Sequence, residues 1–414
     1  MTTKPVKTAV IGCGNISDIY IQNAAKWEIL DLVALANRTL PRAQSQAEKY
    51  NVPQAKPIDD VLADPEIELI INLTTPDVHA EIALAALRAG KSVYNEKPLA
   101  ISREDGRLLL QEAKSRGLLV GCAPDTFLGG GLQTCRQILD SGEIGTPVAA
   151  QAFMLIQGPE RWHPSPEFLF QVGAGPMFDI GPYYLTALIS LLGPIRRVTG
   201  SARKTYEERT IGSGPKQGNN FTVGTPTHIA SILDFASGPV ATLTTSFDVS
   251  VSAGAAINLY DVGGALLEIQ GTKGTLCLPD PNAFDGPVRV RGLNEKEWRE
   301  VPLNHEYTSN NRGLGVADMA YALRNGRSHR ANGEMAYHVL DVMHGVLEAS
   351  SSGRHVEVES VCERPLPLPT KLARISTGRL IFRNFRVAPP CRGVPPCRPR
   401  WAHTRRSAPP YKIA

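Results

Sequence analysis

The feature that most constrains this chain is a glycine-containing turn between a strand and a helix near its start. Residues 7–12, KTAVIG, are typical of a buried strand, and the apolar spacing of residues 15–27 indicates a helix. Between them, Gly12, Gly14 and Ser17 form a G-x-G-x-x-S pattern. Glycines allow the backbone to approach a pyrophosphate, whose charge is stabilised by the amides at the helix N-terminus. The turn, which includes Asn15 and Ile16, is therefore predicted to bind a dinucleotide.

Strand and helix patterns alternate through residues 1–124. Further buried strands are expected at DLVALANR, IELIINLTTP, KSVYNEKP and GLLVGCAP, each followed or preceded by a helical pattern. Such alternation with short turns predicts right-handed crossovers and a doubly wound parallel sheet. Residues 1–124 are therefore expected to form a Rossmann domain.

After Pro124 the pattern changes. Helices are predicted at 131–141 and 182–192, and most of the chain from Ile195 to about Val301 is predicted to form strands. The turns between these strands carry Gly, Pro and Asp, which is typical of antiparallel hairpins. Two helices, near 315–324 and 332–350, follow them. This pattern predicts a second α/β domain over residues 125–365, with a mainly antiparallel sheet.

Charge is distributed unevenly along the chain. The sequence has 44 Lys and Arg against 40 Asp and Glu, but residues 371–414 hold eleven of the basic side chains and no acidic one. The rest of the chain is therefore acidic on balance. For residues 366–414, the Arg- and Pro-rich composition favours a disordered or atypical tail over a nucleic-acid or membrane arm.

Other sequence features bear on the compartment. No run of 18 apolar residues occurs, and the N-terminus has no apolar stretch long enough for a secretory signal. The seven cysteines are scattered without zinc-type spacing. We therefore expect a cytoplasmic protein with no metal site, no membrane partner and no nucleic-acid partner.

The end of the second strand affects the choice of dinucleotide. An acidic residue about 20 positions after the glycines normally binds the adenosine ribose of NAD. Here Asn37 takes that place and is followed by Arg38 and Thr39. Without a carboxylate, a 2′-phosphate is not repelled, and Arg38 can pair with it. NADP is slightly favoured over NAD, unless Arg38 is a solvated loop residue and Asn37 binds the ribose.

Three motifs occur in a characteristic order: Gly12-x-Gly14, TTPDVHAEIA at 74–83, and NEKPLA at 95–100. Over roughly residues 5–365 the chain thereby resembles the Gfo/Idh/MocA family of NAD(P)-dependent oxidoreductases. The resemblance implies a Rossmann domain and a C-terminal domain with a large, open, mainly antiparallel sheet. In the family this sheet often forms the oligomer interface, so a homodimer or homotetramer is expected.

The resemblance makes Lys97 the catalytic lysine, supported by Glu96 and Pro98. A lysine, with an ordinary pKa of about 10.4, is a poor acid–base group unless burial or nearby positive charge lowers that pKa. We expect such a lowering at this strand end. A cis peptide before Pro98 can fix the turn. In isolation, Lys97 would instead be interpreted as a surface lysine.

By the same resemblance, Thr74, Thr75, Pro76 and His79 follow the cofactor toward the nicotinamide, where Glu96 and Lys97 also contact it. A histidine packed in the first turn of a helix explains His79 equally well. The sequence leaves both interpretations of His79 open.

A second signature lies in GAGPMFDIGPYY, residues 173–184. Asp179 and Gly181 match the family's Asp-x-Gly, but Tyr183 replaces the common histidine, as in branches resembling glucose-fructose oxidoreductase and dimeric dihydrodiol dehydrogenase. A phenol can relay a proton when a cation such as Lys97 stabilises its anion. Lys97 and Tyr183 are both candidate proton donors, and Asp179 either orients the substrate or caps a helix.

A Pro- and aromatic-rich loop precedes this signature. Its residues Arg161, Trp162 and His163 can provide polar and stacking contacts to a sugar ring. A surface loop anchored by Trp162 is the alternative interpretation.

Together these features predict hydride transfer between the nicotinamide of NAD or NADP and a secondary alcohol or carbonyl group of a sugar, cyclitol or related polyol. Two alternatives remain. One is a non-catalytic dinucleotide-binding regulator or sensor on the same fold. The other is an NAD-dependent enzyme that cleaves glycosides through transient oxidation.

Overall fold

The first half of the protein is built on a parallel sheet. The structure, a computed structural model, describes residues 4–249 and 266–370. Within these residues the sheet has six parallel strands in the order β3-β2-β1-β4-β5-β6. This order confirms the predicted Rossmann fold. The strands are β1 Val6–Ile11, β2 Leu30–Ala36, β3 Gln54–Lys56, β4 Leu69–Asn72, β5 Ser92–Asn95 and β6 Val120–Cys122.

Helices connect these strands and cover the sheet. They are α1 Ser17–Ala24, α2 Leu40–Tyr50, α3 Ile58–Ala63, α4 His79–Arg88 and α5 Arg103–Arg116, with a 3₁₀ turn at Pro76–Val78. The sequence pattern did not predict β3 or α3. β3 is a three-residue edge strand with the polar residues Gln54 and Lys56, so it lacks the apolar run of a central strand such as β4, LIIN, which is buried throughout.

The second half contains a larger mixed sheet. Its nine described strands have the order β16-β15-β14-β13-β7-β12-β11-β8-β17, and only the β7–β12 pair among them is parallel. The mainly antiparallel sheet is therefore confirmed. The strands of the second half are β7 Pro147–Leu155, β8 Ile195–Arg203, β9 Glu208–Thr210, β10 Asn220–Thr222, β11 His228–Phe235, β12 Val240–Ser246, β13 Leu266–Gly271, β14 Gly274–Cys277, β15 Val288–Gly292, β16 Arg299–Val301 and β17 Val356–Glu357.

Strands β9 and β10 pair separately from this sheet, and helices surround it. The helices are α6 Gly130–Asp140, α7 Gly175–Asp179, α8 Gly181–Leu192, α9 Leu314–Asn325 and α10 Gly333–Ser352, with 3₁₀ turns at Thr126–Leu128, Pro159–Arg161 and Glu167–Phe170. The strand expected around residues 256–262 lies outside the described residues.

The long helix α10 joins the two halves. It packs along β8 of the second sheet and against α5 and β6 of the first. Arg103, at the start of α5, donates a hydrogen bond to the buried carboxylate of Asp341 on α10, at 2.6 Å. The carboxyl ends of β5 and β6 are thereby held beside the second half, where a site between the two can form.

The packed chain continues beyond residue 365, where the sequence pattern placed the end of the second domain. Leu368 is buried, and its N–H donates to Gln133 Oε1 at 2.7 Å. Arg330 donates to the carbonyl oxygen of Pro367. The predicted tail therefore begins later than residue 366, and residues 371–414 lie outside the described part of the chain.

No helix in the described ranges 4–249 and 266–370 is both long and apolar enough to span a bilayer.

A pair of leucines tests the role of this last segment. Leu368→Ala is expected to lower the free energy of unfolding by about 2 to 4 kcal/mol, because it leaves a cavity in packed surroundings. Leu366→Ala, at a site that is 75% exposed, is the matched control and is expected to stay within about 0.5 kcal/mol of wild type. Urea denaturation measures both changes. Equal stabilities of the two variants would contradict the packing of Leu368.

Candidate active site

The glycine turn lies between β1 and α1, as predicted. Gly12 has φ +105°, and a Cβ atom built there would lie 2.5 Å from the carbonyl carbon of Leu73. By contrast, a Cβ atom on Gly14 would meet nothing within 4 Å. The buried Ser17 donates a hydrogen bond to the Gly14 carbonyl at 2.6 Å, which holds the helix start against the turn. Gly12 is thus required by packing, whereas Gly14 borders open space at the N-terminus of α1.

A pocket of about 460 Å³ adjoins this turn. Its wall includes Asn37, whose Oδ1 accepts a hydrogen bond from Cys13 N–H at 3.1 Å. The wall also includes Arg38, which is exposed, and Arg42, whose Nε donates to the Cys13 carbonyl at 2.6 Å. The motifs did not identify Arg42. Two guanidinium groups therefore line this side of the pocket. In NAD enzymes a carboxylate at this position binds the ribose, and here the amide of Asn37 takes its place.

Asn15 is exposed and Ile16 half-buried in the turn. On the opposite wall, Thr74 and Thr75 line the pocket, and Thr74 Oγ1 donates to Asn72 Oδ1 at 2.7 Å. Pro76 begins the short 3₁₀ turn that follows. Contact of these residues with a cofactor remains a prediction.

His79 connects this wall to the turn that carries Lys97. The ring is buried, with Nδ1 2.8 Å from the Pro98 carbonyl oxygen and Nε2 3.0 Å from that of Thr74. Burial lowers the pKa of the imidazole. These contacts are those of a packed residue that aligns two backbone segments, and a direct contact of His79 with the cofactor remains a prediction.

The segment after β5 presents Lys97 at the boundary between the two halves. The Lys97–Pro98 peptide is cis. The Glu96 carboxylate accepts hydrogen bonds from the Tyr20 hydroxyl at 2.8 Å and from the Lys97 backbone N–H at 2.9 Å. Glu96 is buried, and hydrogen bonds restrain both of its carboxylate oxygens. This fixes the backbone from which Lys97 projects.

Lys97 meets two residues of the second half. Its Nζ donates to Asp179 Oδ1 at 2.6 Å and to the Asp179 carbonyl oxygen at 2.7 Å. The same Nζ lies 5.5 Å from the centroid of the Tyr183 ring, within the range of a cation–π contact. Asp179 ends α7 and Tyr183 lies in the first turn of α8, so the break between these helices brings both toward the lysine.

The electrostatics of Lys97 differ from the expectation. Burial disfavours its charged form, but Asp179, Tyr183 and Glu96 outweigh burial and hold the pKa of Lys97 above its ordinary value. The predicted lowering of this pKa is therefore wrong, because the closest charge is a carboxylate and not a cation. Burial also raises the pKa of Tyr183, while Lys97 and Arg312 act in the opposite direction.

The motifs did not identify two further charged residues, Asp125 and Arg312. The Asp125 carboxylate is buried and accepts hydrogen bonds from Gly313 N–H at 2.8 Å and Gly315 N–H at 2.9 Å. Burial raises the pKa of Asp125 to about 6. Arg312 lies in the turn before α9, and its charge acts to lower the pKa of Tyr183. A lone arginine beside glycine in NNRGLG was the only sequence signal for this turn.

The loop expected to contact a sugar is largely exposed. The Trp162 side chain is 66% exposed and stacks edge-on with His163, with the ring centroids 5.7 Å apart. Arg161 is also exposed. In the described part of the chain, none of the three hydrogen-bonds or ion-pairs with Lys97, Asp179 or Tyr183, so their contact with a substrate remains a prediction.

Comparison with known protein families finds a match in each half of the chain. Residues 6–123 match the model of an oxidoreductase family with an NAD-binding Rossmann fold, and residues 132–277 match the Gfo/Idh/MocA C-terminal domain. The chain belongs to the Gfo/Idh/MocA family. This result confirms the resemblance seen in the motifs and makes the first half an NAD-binding Rossmann domain of that family.

Individual relatives are only distantly similar to this chain in sequence. The chain is 26% identical over 298 residues to trans-1,2-dihydrobenzene-1,2-diol dehydrogenase of Bos taurus, covering 71% of this chain and 79% of that protein. It is 31% identical over 148 residues to inositol 2-dehydrogenase of Salmonella typhimurium, covering 34% and 44%. Against several other curated relatives, the match spans about half of the relative's own length.

A solved structure of levoglucosan dehydrogenase, in complex with NADH and levoglucosan, has the same fold. Its TM-score is 0.71 at 19% identity, covering 86% of this chain and 100% of that one. At this identity the likeness establishes the fold alone, and it extends over both halves.

The two glycines of the turn make a matched pair of variants. Gly12→Ala is expected to destabilise the protein, because the new Cβ would collide with the backbone at Leu73 and the φ value is strained. Gly14→Ala is expected to melt like wild type but to bind NAD(P)H at least about tenfold more weakly, because its methyl group would occupy the space next to a pyrophosphate. Thermal melting and fluorescence titration with NAD(P)H measure these effects. Unchanged affinity in Gly14→Ala would argue against a dinucleotide at this turn.

Proposed function

We propose that this protein transfers a hydride between the nicotinamide of NAD or NADP and a secondary alcohol or carbonyl carbon of a sugar, cyclitol or related polyol. The observation that carries the proposal is the Lys97–Asp179 pair, with Tyr183 beside it, at the carboxyl end of β5. Ligands of doubly wound sheets bind at this end of the strands. The relatives named above support the substrate class.

The pocket beside the glycine turn fits a dinucleotide. Gly14 leaves room for a pyrophosphate at the N-terminus of α1, and Arg38 and Arg42 line the side expected for the adenosine ribose. His79 links the Thr74 wall of this pocket to the turn that carries Lys97. When bound, the nicotinamide supplies the hydride acceptor or donor.

The residues around the end of β5 have different roles in the proposed reaction. Lys97, held as an ammonium group, donates a hydrogen bond to the substrate oxygen and stabilises negative charge on it. Asp179 orients both Lys97 and a substrate hydroxyl. Tyr183 exchanges the proton with the substrate oxygen, because Lys97 lies over its ring and the charges of Lys97 and Arg312 favour its anion. Arg161, Trp162 and His163 contact the outer part of the sugar.

Variants of the two candidate proton donors test the function. Tyr183→Phe is expected to lower kcat by about 10²- to 10⁴-fold, because proton transfer by a positioned side chain contributes about that factor. Lys97→Met is expected to abolish turnover but to leave the affinity for NAD(P)H within about twofold. Tyr184→Phe, in the next position of α8, is the matched control and is expected to keep kcat.

Turnover is measured as the change in NAD(P)H absorbance with a panel of inositols, anhydrosugars, hexoses and trans-dihydrodiols. If wild type turns over and Tyr183→Phe keeps its rate, the proton transfer belongs to Lys97 alone. If wild type binds NAD(P)H but oxidises or reduces nothing in the panel, the regulator or sensor becomes the better account.

We propose that NADP is favoured over NAD, on the basis of Arg38 and Arg42 beside Asn37. Arg38→Ala is expected to weaken NADPH binding roughly 10- to 100-fold, because a hydrogen bond to a charged phosphate is worth about 1.5 to 3 kcal/mol. NADH binding is expected to stay within about twofold. Lys114→Ala on α5, which does not line the pocket, controls for the loss of charge. A wild-type preference for NADH would contradict this assignment.

We also propose that the second sheet joins copies of the chain into a homodimer or homotetramer. Ile232 on β11 and Val240 on β12 lie on the same face of the sheet and are 42% and 45% exposed. Apolar side chains exposed on the same sheet face are typical of an interface.

A further inference from the structure

We propose that Arg209, on β9, is a positioning residue for substrate binding, because it holds in place the aromatic loop of residues 158–170. The inference rests on the proposed function, in which Arg161, Trp162 and His163 of this loop contact the outer part of the sugar. The sequence motifs did not identify Arg209. Its role follows from a cluster of buried charged side chains outside the proposed catalytic residues.

The buried side chain of Arg209 joins three parts of the second half. Its Nη1 donates to Glu160 Oε1 in the aromatic loop at 2.6 Å. Its Nη2 donates to Oδ1 of Asp248, which follows β12 of the large sheet. The guanidinium carbon also lies 5.1 Å from the ring centroid of Phe170 and 5.2 Å from that of Tyr206. The β9–β10 hairpin, the aromatic loop and the sheet are thereby connected through one residue.

The two carboxylates bound by Arg209 are restrained differently. The Thr227 hydroxyl donates to Asp248 Oδ2 at 2.7 Å, and the Thr205 hydroxyl donates to the same oxygen. Asp248 is therefore fixed to the sheet independently of Arg209. Within the described residues, Glu160 Oε2 has no hydrogen-bond partner, so the Glu160 side chain is held by Arg209 alone.

Backbone contacts extend this link along the aromatic loop. The Gly212 N–H donates to the Glu160 carbonyl oxygen at 2.8 Å, and the Gly224 N–H donates to that of Phe170 at 2.7 Å. A Cβ atom built on Gly212 would lie 3.0 Å from the Arg161 Cα atom. The hairpin therefore packs directly on the loop at both of its ends.

The aromatic loop keeps another set of side chains exposed. The rings of Trp162 and Phe168 are exposed, and the His163 ring stacks edge-on with both, at centroid distances of 5.7 Å and 5.5 Å. Aromatic rings provide a large contact area for a ligand. A surface that is already ordered does not have to be ordered on binding, so fixing this loop favours substrate affinity.

The chain between the aromatic loop and Asp179 is held by other contacts. A Cβ atom built on Gly173 would lie 2.5 Å from Ile101 Cγ2 of the first half. One built on Gly175, the first residue of α7, would lie 2.9 Å from the Pro226 carbonyl oxygen. Close packing therefore restrains α7 without Arg209. Loosening the loop is expected to weaken substrate binding more than it slows the chemical step.

The test compares Arg209→Met and Glu160→Met with a control, Arg197→Met. Arg197 on β8 pairs with Asp234 on β11 at 2.7 Å, in the same sheet but without a member in the aromatic loop. With the best substrate of the panel, both test variants are expected to raise KM about tenfold or more, with kcat within about threefold of wild type. The affinity for NAD(P)H is expected to stay within about twofold. Arg197→Met is expected to keep all three values.

Hydrogen exchange measured by mass spectrometry reports the loop directly. We expect amide exchange in residues 158–170 and 208–222 to become about tenfold faster in both test variants, while α6 exchanges as in wild type. A purely structural role of Arg209 would instead speed exchange throughout the second half.

Unchanged exchange in the aromatic loop of folded Arg209→Met, or an unchanged KM in that variant, would overturn the inference. A loss of kcat without a rise in KM would also contradict it. Removing Arg209 leaves two buried carboxylates without their cation, which is strongly destabilising. If Arg209→Met does not fold, the same outcomes in Glu160→Met decide, because there Arg209 keeps its ion pair with Asp248.

The two proposals fail in different ways. If the proposed function is wrong, wild type shows no turnover with any member of the panel, whatever the exchange of the loop. If only the Arg209 inference is wrong, wild type turns over and the two test variants bind the substrate as wild type does.

Discussion

The ion pair between Lys97 and Asp179 is the interaction on which the candidate site depends. Lys97 follows β5 of the first half, and Asp179 ends α7 of the second, so the 2.6 Å contact joins the two halves at the carboxyl end of the parallel sheet. Its geometry relies on Glu96, which is held by Tyr20, and on α10, which packs against α5 and β6. A change in the docking of the halves would therefore separate the lysine from its carboxylate.

This pair also decides which group can change its protonation state. A lysine held charged by a carboxylate is a poor proton acceptor and a good electrostatic stabiliser. In the described part of the chain, Tyr183 lies against it with no hydrogen bond to a carboxylate. Burial raises the pKa of Tyr183, while the charges of Lys97 and Arg312 favour its anion. The uncertainty between Lys97 and Tyr183 that the sequence left open is thereby resolved in the proposal in favour of the tyrosine.

The parallel sheet was predictable because its central strands are continuous apolar runs, as in β4. The edge strand β3 was not, because its side chains are polar and partly exposed. Lys97, Asp179 and Tyr183 were found because each lies in a short local motif. Asp125 and Arg312 were not, because the contact that places them joins Asp125 to Gly313, 188 positions along the chain. The direction of the Lys97 pKa shift was missed for the same reason, since a local motif does not reveal how close a distant carboxylate lies.

The most direct test of this account is the protonation state of Lys97 in the free protein. With ¹⁵N-labelled lysine, the Nζ resonance of Lys97 can be followed across pH and assigned by its loss in Lys97→Met. The account predicts that wild type keeps the ammonium form up to at least about pH 10, and that Asp179→Asn lowers the pKa by one unit or more. Loss of the Lys97 proton below about pH 8 in wild type would contradict it, because the lysine would then be able to act as the acid–base group itself.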